Sequence, residues 1–161
     1  SVLQSDSRVV WFARKPLDPQ RTREILSEVT ESQLDRLFIV EFGTKLLTRV
    51  NDLSSLIGIL NESDLIVLDD WCPSSGRAPA DDLEAVRKLI SSTRNTRLIL
   101  TSKAYESPSS DGEKWKSRGA QLSGLRQVWL LREEGVRNYR KLIDRDLETN
   151  LVLNQTGFIA A

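Results

Sequence analysis

Short apolar runs alternate with stretches of helical periodicity along the first two-thirds of the chain. The apolar runs, rich in β-branched, aliphatic and aromatic residues, predict strands at Arg8–Ala13, Leu37–Phe42, Leu65–Leu68 and Leu98–Thr101. Between them, apolar residues at helical spacing predict helices that follow Asp18-Pro19 and run through Leu53–Leu60 and Leu83–Ile90. Strands that alternate with helices in this way form right-handed βαβ crossovers, so we expect a parallel sheet.

The pattern changes after Ser102. Tyr105–Gly124 is rich in Ser, Gly, Lys and Asp and has little apolar periodicity, which predicts a long mobile loop. Leu125–Arg132 and Val136–Ile143 flank the turn Glu133-Glu134-Gly135 and predict a β-hairpin, and Leu151–Leu153 predicts a last strand. An antiparallel tail added to parallel units predicts one mixed, mostly parallel sheet, and the length predicts a single domain spanning residues 1–161.

Charge and cysteine content remove several classes of function. Twenty-three basic residues balance twenty-three acidic ones, so any binding of nucleic acid or of anionic membrane must come from a local patch. The chain has no histidine and one cysteine, Cys72, which excludes an internal disulfide, a His-based triad and a His/Cys zinc site. A lone cysteine, with no apolar run long enough to span a membrane, predicts a cytoplasmic protein, or a nuclear one in a eukaryote.

The strand Leu65–Asp69 has the form of a Walker B motif, an apolar run that ends in a carboxylate. A Walker B carboxylate holds magnesium beside a nucleotide whose phosphates lie in a G-x-x-x-x-G-K-[ST] loop. None of the eight glycines lies in such a loop, and the chain has no Gly-Lys-Ser/Thr triplet. The strand is therefore either a remnant of a nucleotide hydrolase or an ordinary buried strand with an acidic end.

Five segments follow one another in a characteristic order: Arg8–Arg21, Leu65–Asp69, Leu98–Lys103, Arg118–Leu122, and Leu125–Ile143 with Leu151–Phe158. Their order and spacing resemble the RecA/RadA family of strand-exchange recombinases, and most closely its short archaeal RadB-like paralogues. The resemblance covers nearly the whole chain from Arg8 onward and rests on no single motif. It implies an α/β, RecA-like P-loop NTPase core with a C-terminal β-hairpin, lacking the P-loop.

Departures from the family pattern predict a protein without ATPase activity. The family's P-loop would lie upstream of Ser1, its acidic catalytic residue is replaced by Ala13-Arg14-Lys15, and Lys103 stands in place of its phosphate-sensing glutamine. Because phosphoryl transfer depends on positioning and charge stabilisation, we expect no catalytic residue, no cofactor and no metal. Asp69 and Asp70 are either remnant magnesium ligands or, as we favour, caps of the strand end that bond to nearby backbone or an arginine.

The loop over Tyr105–Gly124 resembles the second DNA-binding loop of the family. Its candidate DNA-binding residues are the cations and the aromatic residue Lys103, Lys114, Trp115, Lys116 and Arg118, together with Arg77 at the position of the shortened first DNA loop. Cations interleaved with an aromatic ring supply phosphate neutralisation and a stacking face, as single-stranded DNA binding requires. The alternative is a solvated loop whose tryptophan packs on the protein body or on a partner, and for Arg77 a plain surface arginine.

Other residues have both a structural and a functional interpretation. Arg14 and Lys15 follow a strand end, where they either occupy the vacated phosphate region or are exposed. A second basic cluster on the predicted hairpin favours a solvated sheet face: Arg137, Arg140, Lys141 and Arg145. The tryptophans Trp11, Trp129 and Trp71, with Cys72, are predicted to be packing residues, although the first two also suit a partner interface.

Three hypotheses about function follow. The first is a non-catalytic RecA/RadA-like paralogue that assists homologous recombination or DNA repair by binding single-stranded DNA and docking on a recombinase or paralogue, with self-association possible. The second is a structural RecA-fold subunit of a multiprotein assembly without DNA contact, of the Elongator type. The third is a fragment of an active ATPase whose P-loop precedes Ser1.

Overall fold

The computed structural model describes residues 2–93, 95–107, 115–119, 122–132, 137–154 and 157–161, without the side chain of Gln4. The chain forms two compact units, the first made of residues 1–17 and 29–121 and the second of residues 18–28 and 122–161. It is an α/β protein with a four-stranded parallel sheet and a C-terminal antiparallel sheet. The single RecA-like domain that the sequence predicts stays a prediction.

The first unit is built on the parallel sheet that the sequence predicts. Its strands are β1 (Val9–Ala13), β2 (Leu37–Glu41), β3 (Leu65–Asp69) and β4 (Arg97–Leu100), in the spatial order β2-β1-β3-β4. The two central strands, β1 and β3, present fully buried residues on one face, namely Val10, Phe12, Ile66 and Leu68. Alternation along a strand explains this pattern, because every second side chain points to the same face.

Three helices of this unit pack against its sheet through short apolar stripes. They are α3 (Leu46–Asp52), α4 (Ser54–Gly58) and α5 (Ala80–Ser92); a shorter helix, α2 (Glu31–Leu34), buries no residue. The steps from β2 to β3 and from β3 to β4 cross the sheet in the same direction, so right-handed crossovers place α3, α4 and α5 on one face. The contacts between α3 and α5 agree with this placement.

The predicted helix around Leu53–Leu60 is wrong in its extent. Helical structure begins earlier, at Leu46, and is interrupted at Leu53, which ends α3 and precedes α4. At the break, the side chains of Asn51 and Asp52 are engaged by Lys88 at 2.6 Å and by Arg49 at 3.5 Å. The helix predicted around Leu83–Ile90 is confirmed as α5.

The prediction of a mobile loop over Tyr105–Gly124 is wrong at its start and at Trp115–Ser117. Ala104–Glu106 and Trp115–Ser117 form an antiparallel pair of strands, β5 and β6, in which Tyr105 lies opposite Lys116. Each strand has three residues, too few for a period-two pattern to be detected in the sequence. Residues 108–114, with the predicted site residue Lys114, lie outside the described part of the chain.

The second unit contains α1 (Pro19–Ile25) and an antiparallel sheet. As predicted, Asp18 caps α1, accepting a hydrogen bond from the Arg21 backbone N–H at 2.9 Å, and Pro19 is the first helical residue. The sheet has the order β10-β9-β8-β7, with β7 (Trp129–Arg132), β8 (Tyr139–Asp144), β9 (Leu147–Leu153) and β10 (Phe158–Ala160). The antiparallel pairing of β7 with β8 confirms the predicted hairpin, and the turn predicted at Glu133-Glu134-Gly135 lies outside the described residues.

Two predictions about this tail are wrong. The strand at Leu151–Leu153 starts at Leu147 and is not the last strand, because β10 follows and pairs with it. The antiparallel strands also form a sheet of their own and do not extend the parallel one into a mixed sheet. A tight turn explains the early start of β9: Asp144 pairs with Leu147 across two residues, the first of which, Arg145, has a φ of 55°, as a primed hairpin turn requires.

Neither unit contains, within the described residues, a helix that is long and apolar enough to cross a membrane.

Candidate nucleic-acid interface

The crevice at the carboxyl ends of β1 and β3 is occupied by a side chain of the protein itself. In an open α/β sheet, ligands bind where the strand order reverses, which here is between β1 and β3. Arg14 follows β1 directly and fills this position. Its Nε donates to the Asp70 carbonyl at 2.6 Å, its Nη1 donates to the Gly43 carbonyl at 3.0 Å, and its Nη2 donates to the Trp71 carbonyl.

A buried carboxylate completes the surroundings of Arg14. Nη2 of Arg14 lies 2.8 Å from Oδ2 of Asp82, and the two side chains are 12% and 2% exposed. The guanidinium also lies 4.9 Å from the centroid of the Phe42 ring. Of the two alternatives for the Arg14-Lys15 pair, Arg14 occupies the crevice, whereas Lys15 is exposed.

Sequence reasoning missed Asp82, although a signal was present. Asp82, Ala85, Val86 and Leu89 are the buried residues of α5, at the spacing of one helical face. An acid at the first position of an apolar stripe requires a buried cationic partner, because an unpaired charge is too costly to bury. Arg14 is that partner.

Asp69 and Asp70 end β3 as the sequence favours, but among the residues that the structure describes the Asp69 carboxylate bonds to a hydroxyl group and not to backbone or an arginine. The Thr101 hydroxyl donates to Oδ1 of Asp69 at 2.6 Å and accepts from the Asp70 backbone N–H at 2.8 Å. Asp70 has a φ of 51°, and its carbonyl accepts from Arg14. The described residues include no group of three or more Asp, Glu, Cys or His side chains close enough to hold a metal ion.

Trp71 and Cys72 are buried packing residues, as predicted. Burial raises the pKa of the Cys72 thiol, and the nearby Arg14 guanidinium only partly opposes that effect. The thiol therefore stays protonated at neutral pH and is a poor nucleophile. By contrast, Trp11 and Trp129 are only partly buried, so the prediction that they are core residues holds only in part.

A second concavity lies beside this closed crevice, and it is open. Its volume is about 230 Å³, and it is lined by Gly76, Arg77, Tyr105, Ser117, Arg118 and Gly119. The guanidinium of Arg118 lies 5.5 Å from the centroid of the Tyr105 ring, which is 41% exposed. We call this concavity the arginine cleft.

The arginine cleft brings together two of the predicted DNA-binding residues, Arg77 and Arg118, from segments that are distant in the sequence. Of the others, Lys116 is exposed opposite Tyr105, and the Lys103 carbonyl accepts the Arg118 backbone N–H at 2.7 Å. Within the described residues, no carboxylate forms an ion pair with either arginine of the cleft. The cleft is therefore suited to an anion.

The ring at the cleft is that of Tyr105, whereas the sequence predicts Trp115 as the stacking residue. Trp115 is half-buried and lies opposite Glu106 in the β5–β6 pair. Tyr105 stands at the start of the stretch rich in Ser, Gly, Lys and Asp, and nothing in the sequence shows that the chain folds back to place Arg118 beside it. Antiparallel pairing of β5 with β6 is what brings the two together.

The second basic cluster, in the other unit, is largely engaged within its own sheet. Lys141 forms an ion pair with Glu148 at 2.9 Å. Nη1 of Arg140 donates to the carbonyls of Arg137 and Tyr139 at 3.1 and 2.7 Å. Arg145 lies in the β8–β9 turn. These contacts agree with the solvated sheet face that the sequence favours.

No protein-family model matches this sequence, and a search among curated proteins finds no match. The class that the geometry defines is an α/β protein whose sheet-end crevice is closed by an arginine and whose neighbouring cleft is open and cationic.

Proposed function

We propose that this chain is a non-catalytic RecA/RadA-like paralogue that assists homologous recombination or DNA repair by binding single-stranded DNA in the arginine cleft and by docking on a recombinase. The observation that carries the proposal is the meeting of Arg77 and Arg118 at one cleft. The family resemblance assigns these residues to the two DNA-binding loops.

The chemistry of the cleft suits a nucleotide. Two guanidiniums without a carboxylate partner among the described residues neutralise and bind phosphate oxygens, and an exposed tyrosine ring offers a face for a base. Because these contacts involve the phosphates of the DNA backbone and the face of a base, we expect the protein to show little preference for DNA sequence. The closed crevice supports the non-catalytic half of the proposal, since Arg14 and its partners fill the place where such a sheet binds a ligand.

Fluorescence anisotropy of a labelled oligothymidylate, measured from about 50 to 200 mM salt, tests the DNA half of the proposal. The variant Arg77→Glu/Arg118→Glu should lose at least about tenfold in affinity and reduce the slope of log K against log salt by about 1.4, the value for two phosphate contacts with a single strand. The matched control is Arg23→Glu/Arg87→Glu, which makes the same change in net charge at two exposed helical positions.

Equal losses in the two double variants would assign the binding to overall charge and remove the cleft from the proposal. A wild-type protein with a weak, salt-independent response would contradict DNA binding and favour the structural-subunit alternative. Circular dichroism of each variant checks that the fold is retained.

The docking half rests on a row of apolar residues that crosses the first sheet. Trp11 pairs with Ile39 on one side and with Val67 on the other, and Val67 pairs with Ile99. Ile39 and Ile99 are 46% and 50% exposed at the two edge strands. An apolar row that is half-buried at Trp11 and Val67 and exposed at both edge strands suits a protein contact surface.

Ile39→Glu/Ile99→Glu tests the docking half. We expect this variant to lose co-elution with the purified recombinase of the same cell in size-exclusion chromatography and to keep the DNA affinity of the wild type. Retained co-elution would contradict this surface as the docking site. Dimers of the wild type alone that dissociate in the variant would assign the surface to self-association instead.

A further inference from the structure

The arginine cleft is joined to the closed crevice through a contact that only glycine permits. Gly119, in the lining of the cleft, has a φ of 109°, and the position that a Cβ would take there is occupied by the indole of Trp71. A Cβ at this position would lie 2.4 and 2.6 Å from Cζ2 and Cη2 of Trp71. No side chain fits that gap, so the approach requires both the conformation and the small size of glycine.

Trp71 is held in place by the crevice. Its backbone N–H donates to the Thr101 carbonyl at 3.1 Å, and its own carbonyl accepts from Nη2 of Arg14. The side chain is buried, so its orientation is set by the surrounding packing. Trp71 is thus fixed at its backbone by Thr101, the residue after β4, and by Arg14, while its ring supports Gly119.

The next residue toward the cleft is Arg118, whose guanidinium lies over the Tyr105 ring. Its backbone N–H is bonded to the Lys103 carbonyl. The position of the guanidinium therefore depends on two backbone supports: the hydrogen bond to Lys103 and the contact of Gly119 with Trp71.

We propose that Trp71 is a positioning residue for the arginine cleft: through Gly119 it holds Arg118 over Tyr105, so that the self-filled crevice keeps the cleft in its binding conformation without any bound ligand. The inference rests on the proposed DNA binding and adds how that site is controlled. It predicts a cleft that binds constitutively, whose affinity changes when the contact beneath it changes.

A double-mutant cycle isolates this contact. Trp71→Phe removes the ring atoms Cζ2 and Cη2 that meet Gly119, and Gly119→Ala introduces the clash and also strains the backbone. The strain is present in both backgrounds and cancels in the cycle, whereas the clash is present only with tryptophan. We expect each single variant to weaken oligothymidylate binding by about tenfold, and Gly119→Ala to cost less in the Trp71→Phe background. Strictly additive effects would overturn the inference.

A matched control separates positioning from general loss of stability. Val86→Ala removes buried volume from α5, in the same unit, at a residue that does not line the cleft. It should lower the unfolding midpoint and leave DNA affinity unchanged at temperatures well below that midpoint. An affinity loss in Val86→Ala equal to that of Trp71→Phe would reduce Trp71 to an ordinary core residue.

Amide hydrogen exchange tests the same contact without DNA. Trp71→Phe should speed exchange at the backbone N–H of Arg118 by about tenfold, and Val86→Ala should not. If the wild type fails to bind DNA, the proposed function falls, and this measurement still decides the positioning role. Unchanged exchange at Arg118 in Trp71→Phe would overturn the inference, even where the wild type binds DNA well.

Discussion

Arg14 and Arg118 lie at the same end of the parallel sheet, but one is bonded within the protein and the other faces an open cleft. Arg14 is nearly buried, with three backbone carbonyls and the Asp82 carboxylate around its guanidinium. Arg118 lies over a tyrosine ring at an open cleft, and its guanidinium forms no ion pair within the described part of the chain. Both residues follow a strand end by one position, so their local sequence settings are alike.

The difference shows that charge alone does not identify a binding residue. A guanidinium carries five N–H donors, and those of Arg14 are directed at acceptors of the protein, which leaves little for a ligand. The guanidinium of Arg118 forms no ion pair with any described residue, so its donors are open to a ligand in that part of the structure. What separates a structural arginine from a ligand-binding one is therefore the supply of nearby acceptors, which depends on Asp82 and on the carbonyls that the strand ends bring together.

The largest loss of stability should come from breaking the Arg14–Asp82 ion pair in the closed crevice. We expect Asp82→Ala to destabilise the protein by about 3–5 kcal/mol, because it leaves the Arg14 charge buried without its partner. Urea denaturation followed by tryptophan fluorescence measures the loss. Asp81→Ala, which changes the exposed neighbour in the same helical turn, should stay within about 0.5 kcal/mol of the wild type.

A second variant shows whether the stability loss in Asp82→Ala comes from the unpaired Arg14 charge or from the space left by the side chain. In Arg14→Met/Asp82→Leu, neither charge is buried, and we expect part of the Asp82→Ala loss to be recovered. Recovery should be incomplete, since the carbonyls of Gly43, Asp70 and Trp71 lose their donor. A mild Asp82→Ala phenotype would mean that the crevice is more hydrated than the geometry indicates.

The opposite end of the sheet offers the next test, with a similar pair, Arg8 and Asp64. Burial on its own would raise the pKa of Asp64, but hydrogen bonds from the Arg8 and Asn61 backbone N–H groups and from the Arg8 guanidinium lower it overall. A carboxyl group whose folded-state pKa is depressed adds stability above its unfolded pKa of about 3.9 and loses it as the pH falls through the folded value.

We therefore expect Asp64→Asn to cost about 1.5–3 kcal/mol at pH 7, the range for hydrogen bonds to a charged group. The difference between this variant and the wild type should shrink as the pH falls below about 4, because Asp64 then takes up a proton in the unfolded chain, whereas the folded carboxylate, with its lowered pKa, still resists protonation. Unfolding midpoints from neutral to acid pH measure it. A difference that stays constant down to the acid end would contradict the assigned pKa direction.

Substitution of Tyr105 tests the arginine cleft and should leave the free energy of unfolding nearly unchanged. Tyr105→Ala removes the exposed ring beneath Arg118 and should weaken oligothymidylate binding by about 1–3 kcal/mol, the value for one stacked base. Tyr105→Phe keeps the ring face and should bind almost as the wild type does. If both variants lost the same affinity, the hydroxyl group and not stacking would be responsible.

Local pattern was sufficient for most of the fold. The four parallel strands, the cap at Asp18 and the pairing of β7 with β8 each follow from periodicity or from a capping residue within a few positions. Separate sheets did not follow, because the choice between extending a parallel sheet and forming another depends on which edges meet in space. The very short strands β5 and β6 were missed for lack of a pattern.

The sequence predicts some residues of the candidate site but not their arrangement in space. Arg77 and Arg118 were selected from the sequence, but their meeting at one cleft depends on the course of the chain between them. The closed crevice needed the pairing of Arg14 with Asp82, which lie on a strand end and a helix start far apart in the sequence. Such pairings are tertiary, and the single sequence offers only the acid at the head of the α5 stripe as a sign of one.

The smallest effect concerns the strand end that suggests a nucleotide hydrolase. We expect Mg²⁺ with ATP to leave the unfolding midpoint unchanged, because Asp69 is engaged by Thr101 and Arg14 fills the crevice. A ligand present at a hundred times its Kd would add about 2.7 kcal/mol to the free energy of unfolding, so even moderate binding would be detected. Asp69→Asn should cost about 1 kcal/mol, the value of one hydrogen bond, with or without the nucleotide. A midpoint raised by Mg²⁺ and ATP in the wild type, and not in Asp69→Asn, would show that the carboxylate still binds a metal and that the crevice can open.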